Sequence, residues 1–589
     1  MPSINHPITY PDFVGDPAAS PASGERRLVA DARARELLAE ATGWPSWTLT
    51  PRQLCDLELL LTGGFSPLDT FLDQAAYESV CSAMRLPNGQ LWPIPVTLDV
   101  PEQTAARLGA GERLALRNQE GTVLAVLTVS QVWQPDQKAE AEAVFGTTDP
   151  DHPGVAHLLH STHAWYVAGA LDGLLLPHHD DYRELRMTPA EVRAEIAHRG
   201  WGATVAFQTR NPLHRAHLEL ISRAAEATGA GLLLHPVAGL TRPGDVDHYT
   251  RVRCYRAALR YYPEDKAILA LLPLAMRMAG PREALWHALI RRNHGATHFI
   301  VGRDHAGPGA DAAGQPYYDP YAAQDLVRAH QEEAGITMVP FRQMVYLPDA
   351  DRHAPEDEVP PGSSTLMLSG TEQRRILRSG QRLPGWFTPP EVARELYRRY
   401  PPRLQQGLTV FFTGLPTSGK STLARAVLAH LLEHYDRNVT ILDGDVVRTY
   451  LSSELGFSRD HRDLNIRRIG YVAAEITKHG GIALCAAIAP YAAARDEVRR
   501  LVEAHGGFVL IHVDAPAETC ESRDHKGHYA KARAGVITGF TGVNDPYEVP
   551  DDAELILNTA SQSIPDCTAA ILAYLREAGY LSASTPEGM

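Results

Sequence analysis

The sequence predicts a multidomain α/β chain in which a β-rich N-terminal part precedes two α/β units. Three observations carry this prediction. From about Tyr182 onward, apolar strands alternate with helix-length amphipathic stretches, the pattern of a parallel sheet. The same pattern starts again at Leu408, after the break Tyr400-Pro401-Pro402, which reads as a hinge. The length of 589 residues suffices for about three or four domains of roughly 150 residues, each able to bury a core.

The elements follow in order. Residues 1–181 carry Pro/Gly punctuation and short β-like runs, Trp92 to Val100 and Arg113 to Val129, and form the first predicted domain. Residues 182–400 form the second, with candidate strands Ala203 to Phe207, Gly231 to Pro236, Ala267 to Leu272 and Thr297 to Val301, and a small subdomain from about 340. Within it Pro348 to Ser364, rich in Pro, Asp and Glu, reads as a surface loop. Residues 403–589 form the third, with strands Leu408 to Thr413, Asn438 to Leu442, Gly481 to Ile488, Phe508 to Asp514 and Glu554 to Leu557.

Composition narrows the function classes. An apolar share of 44% with 21% charged residues is ordinary for a globular protein and disfavours disorder, collagen and coiled coil. The 56 basic and 70 acidic side chains leave a net charge of −14, so bulk attraction to nucleic acid is not expected and any anionic ligand needs a dedicated pocket. The longest apolar stretch, Ala267 to Met276, is about half a membrane helix and contains Pro273, so no membrane partner is expected. Met1 to Asp12 shows neither a basic nor an apolar signal region, and the six scattered cysteines show no CxxC spacing; a cytoplasmic location with reduced thiols is the expectation.

Gly414-Leu415-Pro416-Thr417-Ser418-Gly419-Lys420-Ser421 satisfies G-x-x-x-x-G-K-[ST], directly after an apolar strand and before the helical pattern Thr422 to Tyr435. In such a loop, backbone N–H groups curl around phosphate oxygens. Lys420 reaches the β- and γ-phosphates, and the Ser421 hydroxyl can ligate Mg²⁺. The next predicted strand ends in Asp443-Gly444-Asp445-Val446-Val447-Arg448, which sets two carboxylates and a guanidinium at a strand's carboxyl end, where α/β sheets bind ligands. A carboxylate there can hold Mg²⁺ or accept a hydroxyl proton, or it can simply cap a turn.

Further landmarks are Phe457, Arg462 to Arg468, Pro490-Tyr491, Lys526-Gly527, Lys531 to Gly535 and Gly539 to Gly542. With these, residues from about 408 to 560 closely resemble adenylylsulfate (APS) kinase. The resemblance implies that Arg448, Arg462, Asn465 and Lys531 hold APS and that Phe457 and Phe540 sandwich its adenine, in keeping with arginine forks on oxyanions and aromatics on purines. Two departures stand out: Ala489 where many members have Ser, which leaves direct transfer without a phosphoserine, and Ala492 where a basic residue is common.

The segment Gln208-Thr209-Arg210-Asn211-Pro212-Leu213-His214-Arg215-Ala216-His217 follows the strand ending at Phe207 and runs into a helix. Histidines at i and i+3 share one helical face. A zinc site lacks further ligands and the HExxH glutamate, and no zinc is predicted. Two readings remain: histidines satisfied in the core, or imidazoles at a helix N-terminus facing nucleotide phosphates. The segment resembles the Q-x-R-N-P-x-H-x-x-H signature of ATP sulfurylase, a relative of nucleotidylyltransferases. Gly239 to Asp245, Met276 to Glu283, Gly302 to Gly307 and Leu61 to Leu68 match in order.

That resemblance spans roughly residues 20 to 395. It implies a PUA-like first domain and a Rossmann-like nucleotidylyltransferase domain, followed by the P-loop kinase domain. Gln208, Arg210 and Ala306 would line a sulfate pocket. Gln208, Thr209, Arg210, Asn211, Gly302, Arg303, Asp304, His305 and Met344 would hold ATP, and the catalytic set would be Thr209, Arg210, Asn211, His214 and His217. Arg242 supplies a cation where the family commonly has one. In the kinase, residues 414–422 would hold ATP, with Lys420, Asp443 and Asp445 catalytic. Mg²⁺ would enter with ATP, the small-molecule substrates being ATP, sulfate and APS. The resemblance implies a bifunctional enzyme that makes APS and then its 3′-phosphate (PAPS), assembled as a dimer or hexamer. Two alternatives stand beside it: a C-terminal domain that only binds APS or PAPS, as in some fungal relatives that have lost the phosphate loop, and a sulfurylase running towards ATP.

Overall fold

Strand Val123–Trp133 is almost wholly apolar up to Val129, and it forms the spine of the first sheet. The computed structural model describes residues 28–241 and 245–582. The chain divides into two units: the residues up to Met367 with Gly385–Glu395, and Leu368–Pro384 with Leu396 onward. The division therefore falls inside the helix Pro390–Arg399, upstream of Tyr400-Pro401-Pro402.

The first unit holds two five-stranded sheets and a hairpin. Strands β1 (Ser46–Thr48), β2 (Leu98–Val100), β3 (Arg113–Arg117), β4 (Val123–Trp133) and β5 (Trp165–Gly173) lie in the order β1-β3-β4-β5-β2. The predicted run Arg113 to Val129 is thus two antiparallel strands with a turn between them, and of the predicted run Trp92 to Val100 only the last three residues are strand. β5 escapes a periodicity search because its alternation is diluted by small residues. One of them is required: a Cβ on Gly169 would stand 2.0 Å from the Thr128 carbonyl oxygen.

The second sheet is parallel throughout: β6 (Thr204–Phe207), β7 (Gly231–Leu234), β8 (Ala267–Leu269), β9 (His298–Val301) and β10 (Thr337–Pro340), in the order β10-β9-β6-β7-β8. The first four match the predicted strands; β9, β6 and β7 are central and read as largely apolar runs, and β8, at the edge, is apolar too. β10 is a short edge strand ending in proline. The predicted loop Pro348 to Ser364 instead contains β12 (Arg352–Pro355), paired antiparallel with β11 (Met344–Leu347). Both sheets contribute to one apolar core, in which Phe65, Trp92 and Trp286 pack with Phe65 and Trp286 ring centres 5.0 Å apart. A buried ion pair, Arg277 to Asp56 at 2.6 Å, also joins the two sheets' surroundings.

The second unit is a parallel sheet of β13 (Leu408–Thr413), β14 (Val439–Asp443), β15 (Ile482–Ala486), β16 (Gly507–Asp514) and β17 (Leu555–Asn558), in the order β14-β15-β13-β16-β17. All five coincide with predicted strands. Every residue of β13 is buried, and helices such as Lys420–His434 and Arg459–Lys478 cover the faces. Among the described residues no helix is long and apolar enough to cross a membrane.

Candidate functional sites

In the first unit the chain runs β6 to β7 to β8 on one side of the sheet and returns to β9 and β10 on the other. The strand order therefore reverses between β6 and β9. Ligands of open α/β sheets bind outside the carboxyl ends at such a point. Gln208 to Asn211 leave the end of β6, and Gly302 to Gly307 leave the end of β9.

Side chains join these two loops. Arg210 donates through Nη2 to the Gly307 carbonyl oxygen at 3.4 Å and through Nη1 to Met278 Sδ at 3.0 Å, with its Nε 3.8 Å from Asp245. Gln208 is buried, its Nε2 3.9 Å from Met276 Sδ. The Asn211 N–H donates to Thr209 Oγ1 at 3.0 Å, closing a tight turn that Tyr255 fastens by donating to the Asn211 carbonyl oxygen at 3.0 Å. Buried Arg251 donates to the carbonyl oxygens of Arg210 and Val237. Asp304 and Ala306 adopt left-handed φ of 50° and 57°. The loop is so tight that a Cβ on Gly307 would meet the Asp304 carboxylate at 1.9 Å. The Ala306 carbonyl oxygen accepts from the Gly280 N–H at 3.2 Å. Arg303 and Asp304 are exposed, and Gly302 is half-buried.

The spacing placed both histidines on one helical face; the structure keeps their rings together but leaves His214 just outside the helix. His214 is the cap residue before the helix Arg215–Thr228, and His217 lies in its first turn. From the cap, the His214 ring still neighbours that of His217, centres 5.8 Å apart. It stacks on Phe387 with centres 4.2 Å apart and its Nδ1 lies 2.9 Å from Thr388 Oγ1. The His214 N–H donates to His217 Nδ1 at 3.1 Å. With Nδ1 accepting, neutral His217 carries its proton on Nε2 and is a donor there. Desolvation, with His353 as a lesser contributor, pushes His217 down to about 4, so the neutral form prevails at ordinary pH.

His305 is turned towards the protein. Its Nε2 lies 3.1 Å from Nδ1 of buried His287, whose Nε2 is 3.3 Å from Glu283, and its ring meets Phe299 edge-on. Burial holds its pKa well below the usual value. Met344 opens β11, in the hairpin that packs on the helix Arg215–Thr228. Arg242 lies outside the described residues.

In the second unit the phosphate loop leaves β13 at the centre of the sheet, between β15 and β16. Gly414 has φ +151°, and a Cβ there would stand 2.4 Å from the Val513 carbonyl oxygen, which explains glycine at that position. Lys420 is buried and its Nζ donates to the carbonyl oxygens of Gly414 and Leu415 at 3.0 and 2.7 Å. Burial pushes its pKa down to about 8, with Cys520 and Asp443 opposing. Thr417, Gly419, Ser421 and Thr422 line a cleft of about 500 Å³. Pro416 accepts from the Tyr529 hydroxyl at 3.1 Å, and Ser418 from Thr559 at 2.8 Å, each through its carbonyl oxygen.

Asp443 is buried and caps the helix Gly444–Tyr450, accepting from the Asp445 N–H at 3.1 Å; Asp445 is exposed, 3.3 Å from Lys526 Nζ. Arg448 lies over the Phe457 ring at 4.5 Å, and Phe540 meets Tyr529 edge-on at 4.9 Å. Arg462 pairs with Asp545 at 2.9 Å and donates to Thr541 Oγ1. Asn465 is buried with its Oδ1 unpartnered, and Lys531 is exposed.

The sequence reading passed over Arg523, which lines the cleft and donates to Thr559 Oγ1 and carbonyl oxygen at 3.1 and 2.8 Å. Its position directly before Asp524 and the quoted Lys526-Gly527 was the available signal.

Residues 20–175 match the PUA-like domain family, 183–399 the ATP-sulfurylase family and 406–558 the adenylylsulphate kinase family. Proteins named sulfate adenylyltransferase from Phaeosphaeria nodorum and Mycosarcoma maydis are each 52% identical, over 93% of this chain and 96% and 97% of theirs. A solved structure described as a hexameric APS kinase from Thiobacillus denitrificans is 38% identical, covers 95% of this chain and 98% of its own, and superposes with a TM-score of 0.77.

Proposed function

The chain belongs to the sulfate adenylyltransferase family and carries an adenylylsulfate kinase domain, and from that premise we propose that it makes APS from ATP and sulfate and then phosphorylates APS to PAPS. The observation that carries this reading is the pairing in one chain of an ATP-sulfurylase domain with an adenylylsulphate kinase domain whose phosphate loop is intact, since the product of the first reaction is the substrate of the second.

In the first step a sulfate oxygen attacks the α-phosphorus of ATP. A sulfate–phosphate bond forms, and the bond from the α-phosphorus to the bridging oxygen of pyrophosphate breaks. Sulfate is a weak nucleophile and both reactants are anions, so the site must position and neutralise. Arg210, fixed by Gly307 and Met278, presents its guanidinium to sulfate beside Gln208 and Ala306. His217 offers Nε2–H, and the first turn of its helix offers backbone N–H groups, to phosphate oxygens. Thr209, Asn211 and the 302–305 loop complete the ATP cradle. His214 and His305 act through their positions, holding the helix start and the second loop. Met344 borders the adenine side.

In the second step the APS 3′-hydroxyl attacks the γ-phosphorus, ADP leaves, and the hydroxyl proton passes to a carboxylate, Asp445 being the exposed one. Lys420 exchanges its carbonyl partners for the β- and γ-phosphates. Mg²⁺ fits the hard oxygen donors of Ser421 and buried Asp443, which sits close enough to Lys420 to raise its pKa. When bound it would neutralise charge on the phosphates. Arg448, Arg462, Asn465 and Lys531 hold APS, with Phe457 and Phe540 on its adenine. The glycine, lysine and serine of the phosphate loop favour transfer over mere binding, and a kinase drawing off APS favours the APS-forming direction. Assembly from copies of the chain fits the hexameric relative.

The test is incubation with ATP, Mg²⁺, labelled sulfate and pyrophosphatase, with separation of products. Label in both APS and PAPS supports the reading; label in APS alone leaves a sulfurylase with a binding domain; no label in either overturns the first step, and failure to phosphorylate added APS overturns the second.

A further inference from the structure

We propose that Arg459 is a second guanidinium for the sulfate–phosphate end of the kinase substrate, acting beside Arg462 over the face of Tyr491. The proposal rests on the kinase reading above.

Ser458 caps the helix Arg459–Lys478, so Arg459 is the first helical residue. A cation there faces the positive end of the helix dipole, a position that disfavours it unless something else holds it. Tyr491 is what holds it. The Arg459 guanidinium carbon lies 4.4 Å from the Tyr491 ring centre, and that of Arg462 lies 5.6 Å from the same centre. One buried ring thus gathers two like charges.

Among the described residues one carboxylate pairs with them directly. Asp545 pairs with Arg462 at 2.9 Å and accepts from the Tyr491 hydroxyl at 2.8 Å. Among the described residues the Arg459 guanidinium makes no hydrogen bond or ion pair, with Asp463 its acidic neighbour one turn along the same helix. Arg462 is nine-tenths buried, and its Nε has no hydrogen-bond partner. Two guanidinium groups with spare donors on one ring are the arrangement that suits a doubly charged oxyanion.

The position also fits. Tyr491 follows the end of β15 beside the phosphate loop, where Thr413 donates to the Ile488 carbonyl oxygen at 2.6 Å. The next residue, Ala492, opens the helix Ala492–Glu503 without a charge, and its N–H is taken by the Glu548 carboxylate at 2.7 Å. Arg459 supplies from a neighbouring helix the cation that this helix start lacks.

The experiment is steady-state kinetics of PAPS formation from added APS at saturating ATP, using the full chain. Arg459→Ala should raise KM for APS about tenfold with kcat within about twofold, the loss expected for a hydrogen-bonded charge contact. Arg459→Lys should lie between, and adding Ala492→Arg to Arg459→Ala should recover most of the KM. APS formation from sulfate by the same preparations reports on folding. An unchanged KM, or a fall in kcat alone that Ala492→Arg does not rescue, overturns the proposal. Failure of the unsubstituted chain to phosphorylate APS would instead overturn the kinase reading.

Discussion

Arg210 Nη2 donates to the carbonyl oxygen of Gly307 across 3.4 Å, tying the end of β6 to the end of β9. The two loops that leave the ends of β6 and β9 are therefore joined at the point where the sheet reverses its strand order. The guanidinium is oriented by that carbonyl and by Met278, so its fork is set before any anion arrives.

Arg210→Lys keeps the charge but removes the planar fork. Its kcat/KM for sulfate should fall about a hundredfold, in the range seen when one preorganised oxyanion donor is lost. Phosphorylation of added APS should be unaffected. Equal sulfate kinetics in the two proteins would show that the fork is not used.

Gly414→Ala places a methyl 2.4 Å from the Val513 carbonyl oxygen at a left-handed φ. The backbone must shift, at a cost of about 1–3 kcal/mol, and the Gly414 carbonyl that Lys420 meets shifts with it. KM for ATP in the kinase step should rise at least tenfold and the melting of the second unit should come earlier, while APS formation is retained. Calorimetry with separate kinase and sulfurylase assays checks both outcomes.

A third expectation concerns pH. Buried Glu140 accepts from Tyr77 at 3.0 Å and Tyr166 at 2.9 Å, and desolvation pushes its carboxyl up to about 7 from 4.5. The stabilisation from its neutral form is complete below pH 4.5 and is lost as pH rises through 7. Glu140→Gln keeps an acceptor for both tyrosines and never ionises. Between pH 5 and pH 8 the wild-type melting temperature should therefore fall by a few degrees relative to that of the variant. Parallel slopes would contradict the assignment.

The second unit was the more legible in sequence. Its three central strands, β13, β15 and β16, are buried along nearly their whole length and read as largely apolar runs, and its phosphate loop is a local motif. The first unit hid β1, β5 and β10, which are short, glycine-bearing or at an edge, and a hairpin strand inside an acidic, proline-rich stretch. The two loops that the structure joins, at the ends of β6 and β9, were legible as motifs, but the directions of their side chains were not. Spacing placed His214 and His217 on one helical face; the rings are neighbours, but His214 is the cap residue and is held by Phe387 and Thr388, about 170 residues away. His305 likewise faces His287, a partner that no local pattern announces. Asp443 turned out to cap a helix as well as border the phosphate loop.

The account stands or falls on two separable sites in one chain, and a pair of variants tests it with labelled sulfate, ATP, Mg²⁺ and pyrophosphatase. Lys420→Ala should accumulate APS at the wild-type rate with PAPS reduced at least a hundredfold, and His217→Ala should make no APS yet convert added APS to PAPS normally. Loss of both activities in either folded variant would contradict the two-site account.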